Sequence, residues 1–86
     1  MRNVIIHTAE LEDNEKPLWD GKLIATFTLT AAHTNSQDAT LSDGKGAEVL
    51  VAPGEQYYFE RTNLGDLLAR SKAGEKMYVV GHTVDV

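Results

Sequence analysis

The residues best equipped for binding chemistry lie in one run, Tyr57-Tyr58-Phe59, with Arg61 close behind. Aromatic rings can carry nucleobases by stacking, worth about 1–3 kcal/mol per base, and a neighbouring guanidinium adds a cation for a phosphate or a ring face. In a strand Tyr57 and Phe59 share one side and Tyr58 takes the other, so one side of the run has to pack into a core. Lys22, Lys45, Arg61 and Arg2 are the basic residues that could track a phosphate backbone, with Thr26, Thr28 and Thr30 as hydrogen-bonding neighbours. The alternative for these threonines is an ordinary solvated sheet face. Trp19, the only tryptophan, is either a plug at the end of a barrel or an exposed anchor for a partner.

Other chemistry finds less support. His7, His33 and His82 are too far apart in sequence to form a local metal-ligand motif. Gly44-Lys45-Gly46 lacks the third glycine and the Gly-Lys-Ser/Thr ending of a phosphate loop and reads as a turn. Ser36, Ser42 and Ser71 sit in no nucleophile-elbow context, no carboxylates are paired for acid/base work, and a domain of this size offers little volume for a buried pocket. Neither catalysis nor a cofactor is expected.

These residues belong to a chain of 86, enough for a single domain spanning 1–86, and its 42% hydrophobic and 24% charged content is that of a globular protein. The absence of cysteine excludes a disulfide framework, a thiolate zinc site and a cysteine nucleophile. No apolar run approaches the roughly 20 residues of a membrane span, and Met1 to His7 lack the apolar stretch of a signal peptide, so a cytoplasmic protein without membrane attachment is expected. Thirteen acidic against eight basic residues give a net charge of −5, which opposes attraction to phosphate backbones. The acids crowd into Glu10, Glu12, Asp13, Glu15 and Asp20, leaving other surfaces closer to neutral.

The elements that must position these residues are mostly strands. Val4 to Leu11 is rich in β-branched types without helical period, and Lys22 to Ala31 alternates Leu23, Ala25, Phe27, Leu29 and Ala31 against Ile24, Thr26, Thr28 and Thr30. Glu12 to Pro17 is a surface loop, and His33 to Gly46 is a long flexible connection with weak order expected around Asn35 to Asp38. Glu48 to Ala52 predicts a third strand stopped by Pro53-Gly54, and Lys76 to Val86 a last one. Between them Asn63 can cap a helix of about ten residues, with Leu64, Leu67 and Leu68 on one face, Asp66 in the first turn, Arg70 and Lys72 in the last and Gly74 as terminator. A small antiparallel sheet must close or expose an edge, so a mostly β, partly open barrel with one short helix before the last strand is expected.

Asn3-Val4-Ile5-Ile6, the run Gly21 to Thr30 and the run Leu67 to Gly81 resemble, in order, the opening, the second strand and the helix, glycine turn and following strand of the bacterial and phage single-stranded DNA-binding protein family. The resemblance implies an oligonucleotide-binding (OB) fold and a non-catalytic, homo-oligomeric protein of DNA replication or recombination. Single-stranded DNA would cross the threonine face, with Tyr57, Tyr58 or Phe59 stacking and Lys22, Lys45 and Arg61 neutralising phosphates. The chain departs from the family in carrying Gly44 to Glu48 where stacking aromatics are expected before the third strand, and in stopping at Val86, before a further hairpin strand and an acidic tail. The alternative is a small acidic protein-interaction module, phage- or plasmid-encoded, that binds a host or replication protein through the loop Glu10 to Asp20 or imitates nucleic acid. A third possibility is a structural subunit whose unpaired strand edge adds to a neighbour's sheet.

Overall fold

The strict alternation before Ala31 becomes the centre of the molecule. In the computed structural model, which describes residues 3–83, Ala25, Phe27, Leu29 and Ala31 are buried while Ile24, Thr26, Thr28 and Thr30 are half-exposed on the other face of the strand. Burying one face of a strand requires a second layer, and the chain supplies it as two four-stranded antiparallel sheets. Strands β1 (Val4–Glu10), β8 (Lys76–Thr83), β3 (Ile24–Ala31) and β6 (Gln56–Asn63) form the first sheet in that spatial order. Strands β2 (Lys16–Pro17), β7 (Leu68–Arg70), β4 (Ala39–Ser42) and β5 (Glu48–Val51) form the second.

The expected class, a small, mostly β, partly open antiparallel fold, is what the described residues form. The two sheets do not close into a barrel, and their interleaved connectivity is that of the jelly roll. Phe27, Leu29, Val51, Leu64, Met77 and Val79 are the largest fully buried side chains between the sheets.

The ten-residue helix does not form. Asn63 caps as expected, its side-chain oxygen accepting from the Gly65 N–H at 3.1 Å, but it caps a single 3-10 turn, Leu64–Asp66, and Leu67 is already extended at φ −92°, ψ 127°. Leu68, Ala69 and Arg70 then pair with Ser42, Leu41 and Thr40 of β4. Local leucine spacing loses to this ladder, which brings in Ala69 as a fully buried residue. The Asn63 oxygen also accepts from the Leu23 N–H at 2.9 Å, and a Cβ on Gly65 would run into the Gly21 carbonyl oxygen, so the turn wedges under the entry to β3.

Two strands lie in segments expected to be loops. Lys16–Pro17 pair with β7, and Ala39–Ser42 form β4 at the centre of the second sheet, with Ala39, Leu41 and Ser42 buried. Order around Asn35 to Asp38 is stronger than expected. The buried Asn35 side chain donates to the Lys76 carbonyl and accepts from the Lys76 N–H, both at 2.9 Å, imitating a strand residue. Glu75 accepts from the Ser36 N–H and hydroxyl at 2.7 Å each and from the Gln37 N–H at 3.2 Å. The last strand is described to Thr83, and the expectation for its final residues, like that for Arg2, lies outside the described residues.

Two tests follow from this packing. Gly81 lies against Phe27, and a Cβ there would stand 2.6 Å from the Phe27 Cα and collide with the Thr26 carbonyl oxygen. Gly81→Ala is expected to destabilise the fold by about 3 kcal/mol or more, because backbone cannot yield as a side chain does; denaturant titration checks it. The Ser36 hydroxyl, opposed by burial and aided by the N–H groups of Ser36 and Gln37 and the Lys72 ammonium, holds the Glu75 carboxyl below its ordinary value. A depressed carboxylate stabilises the fold above its unfolded pKa and loses that contribution as pH falls through the folded one. Glu75→Gln should therefore melt below the wild type at pH 7, and the gap should close under acid conditions, below about pH 4.

Candidate interaction surface

The outer face of the first sheet is built by cross-strand register. Val80 of β8 lies between Ile6 of β1 and Thr28 of β3, and Tyr58 of β6 lies beyond Thr28. Below this row run Val4, His82 and Thr26, and above it Thr8, Tyr78, Thr30 and Gln56. Across β1, β8 and β3 none of these rows carries a lysine, arginine, aspartate or glutamate; charge enters at β6, where Glu60 accepts from the Tyr58 hydroxyl at 3.4 Å beside Arg61. Their apolar members are open to solvent, with Ile6 78%, Val4 76%, Tyr58 63% and Val80 51% exposed. Contiguous exposed apolar surface on a small protein marks an interaction site more often than scattered single residues do. Glu10 opposite Lys76 closes one end of the face.

Only part of the aromatic and basic set expected from the sequence meets here. Tyr58 stands beside Thr28 in register, and the Arg61 N–H donates to the Thr26 hydroxyl at 3.2 Å across an irregularity in the β3–β6 ladder, where Arg61 takes φ 49°. Tyr58, Thr26, Thr28 and Arg61 thus form one neighbourhood. Tyr57 and Phe59 point the other way, between the sheets, where Phe59 stacks on Phe27 with ring centroids 5.2 Å apart. They line an apolar cleft of about 290 Å³ with Leu41, Val49 and Leu67. That orientation removes them from the threonine face. Lys22 is exposed in the loop before β3, and Lys45 lies in the turn between β4 and β5 in the other sheet.

That turn is held by Asp43, which accepts from the Lys45 N–H at 2.7 Å, and by Ser42, which accepts from the Gly44 N–H at 2.9 Å. The backbone groups of Gly44 and Lys45 that a phosphate would use are therefore already taken. Ser36 and Ser71 likewise spend their hydroxyls on loop contacts, with Glu75 and the Asp38 carbonyl. Among the described residues no three of His, Cys, Asp and Glu gather as a metal site, and no helix is long and apolar enough to cross a membrane.

On the opposite side of the sandwich a cleft of about 430 Å³ opens between β1 and the chain from Lys16 to Asp20. Trp19 forms its wall, half-buried against the core and edge-on to His7 with centroids 5.2 Å apart at 75°. It packs on the core at the open side of the sandwich, where a plug would sit, and lines the cleft with its remaining surface. Nothing in the residue pattern alone announced this cleft, because it depends on Leu18 and Trp19 folding back over β1 after β2 has paired with β7. Comparison with family models, with characterised proteins and with solved structures finds no match for this chain.

Proposed function

We propose that this protein is a non-catalytic interaction module that self-associates through the outer face of its first sheet. The observation that carries this is the uncharged row Ile6, Val80, Thr28, Tyr58 on a chain of net charge −5. Two copies of an acidic protein repel wherever carboxylates face each other, and the β1–β8–β3 part of this face, with Glu60 confined to its β6 margin, is where they can meet without doing so. Four strands about 4.8 Å apart and some five residues long present a footprint of roughly 300 Å² per copy, below that of a standard specific interface, so weak, transient association is expected. Replacing Val80 by Glu should give a folded monomer by sedimentation at concentrations where the wild type is dimeric. A wild-type monomer at millimolar concentration overturns the proposal.

A second function, binding of single-stranded DNA in the manner of the family that the sequence resembles, is favoured by the neighbourhood of Tyr58, Thr26, Thr28 and Arg61. Tyr58 would stack a base, the threonines would bond to the backbone, and Arg61 would neutralise a phosphate. Net charge makes such binding weak and steeply salt-dependent. Tyr58→Ala should lower affinity for a labelled oligonucleotide about tenfold, the loss of one stacked base. No binding by the wild type even at low salt sinks this function.

A further inference from the structure

The two edges of the first sheet are treated differently. At β6 the edge is broken by the irregularity at Arg61 and carries Glu60, and bulges and charges are the usual protection of an edge against pairing. The β1 edge has neither. Its seven residues run in unbroken register against β8, contain no proline and bear no charge before Glu10.

Which groups lie free on that edge follows from the hydrogen bonds at its two ends. The Asn3 carbonyl accepts from the Thr83 N–H and the Leu11 N–H donates to the Glu75 carbonyl, both at 2.8 Å, so odd-numbered residues turn their backbone toward β8. An antiparallel ladder alternates with period two, which directs the N–H and C=O groups of Val4, Ile6, Thr8 and Glu10 away from it. No other strand of the described residues pairs with them.

The second observation is the cleft, which adjoins this edge because His7 to Leu11 form one of its walls and Pro17 to Trp19 the other. A strand added to β1 would send alternate side chains into it, onto Ala9, Leu11, Leu18 and Trp19. The third is charge. Glu10 ends the edge with its side chain exposed, Asp20 lines the cleft, Glu12, Asp13 and Glu15 follow in the loop that joins its two walls, and the cation lining it, Lys16, is engaged by Glu12 at 3.5 Å.

We propose that the free edge of β1 and the Trp19 cleft receive an extended peptide of a partner protein, added as a fifth strand, with apolar side chains facing inward and lysine or arginine alternating outward. Backbone pairing supplies affinity and the alternate pockets supply selectivity. A second copy of β1 fits less well, since it brings its own Glu10 and acidic loop to an edge that already has them. This proposal rests on the protein being an interaction module but uses a surface separate from Val80 and Tyr58.

The test is a titration of the whole protein with a blocked six-residue peptide of alternating lysine and valine, followed by Trp19 fluorescence, beside a glutamate-valine peptide. The lysine peptide should shift Trp19 emission and bind at least tenfold more tightly than its acidic counterpart. Thr8→Pro removes an N–H that points away from β8, so it should abolish binding while leaving the circular dichroism and the β1–β8 ladder intact; Thr8→Val, which keeps the N–H, should bind as the wild type does. No response at millimolar peptide, or equal binding by Thr8→Pro, overturns the proposal. A dimer dispersed by Thr8→Pro but not by Val80→Glu overturns it in favour of a second copy, and a monomer that still binds the lysine peptide separates failure of face-to-face association from failure of this site.

Discussion

Phe27 sits at the one place where both dimensions of the sandwich are fixed together. Within its sheet Gly81 presses against its backbone, closer than any side chain at that position would permit. Toward the other sheet its ring fills the space between layers, stacked on Phe59. β3 is hydrogen-bonded on both sides, to β8 and β6, so the position of Phe27 propagates to the rest of its sheet. The threonine face follows from this: Thr26 and Thr28 stand outward because Ala25, Phe27 and Leu29 are drawn inward. Alternation on one strand therefore decides what four strands show to solvent.

How much of this was legible depended on how local the cause was. β3, β5 and β8 announce themselves through alternation or β-branched runs whose pattern needs no partner. The division of Tyr57 and Phe59 from Tyr58 follows from period two alone. By contrast, Leu64 to Arg70 carries a helical spacing that the sequence cannot distinguish from an inward-facing strand until β4 is there to pair with it. β4 itself, four residues inside a polar stretch, is specified by the layer it completes. The threonine face and Arg61 could be anticipated as neighbours; the distance of Lys45 from them could not, because it depends on which sheet the turn between β4 and β5 joins.

The sandwich also explains why its open sides differ. The β5–β6 side is closed by the rings of Tyr57 and Phe59 with Leu41, Val49 and Leu67, a continuation of the core toward solvent. The β1–β2 side is left as a cleft floored by Ala9, Leu11, Leu18 and Trp19 and rimmed by Glu10, Lys16 and Asp20, because β2 is only two residues long and cannot cover the longer β1. Short strands usually protect a sheet edge. Here the short strand lies in one sheet and the edge it fails to shield lies in the other.

The contacts at Asn35 bear on the chemical ageing of the chain. An asparagine followed by serine deamidates when the serine nitrogen attacks the asparagine side-chain carbonyl to close a succinimide ring, a reaction that needs both groups free to rotate into line. Here the Asn35 amide is fastened at both ends to Lys76, and the Ser36 nitrogen is occupied by the Glu75 carboxylate. The same bonds that order the loop keep nucleophile and electrophile apart, so Asn35-Ser36 is shielded from this slow loss of its amide for as long as the protein stays folded.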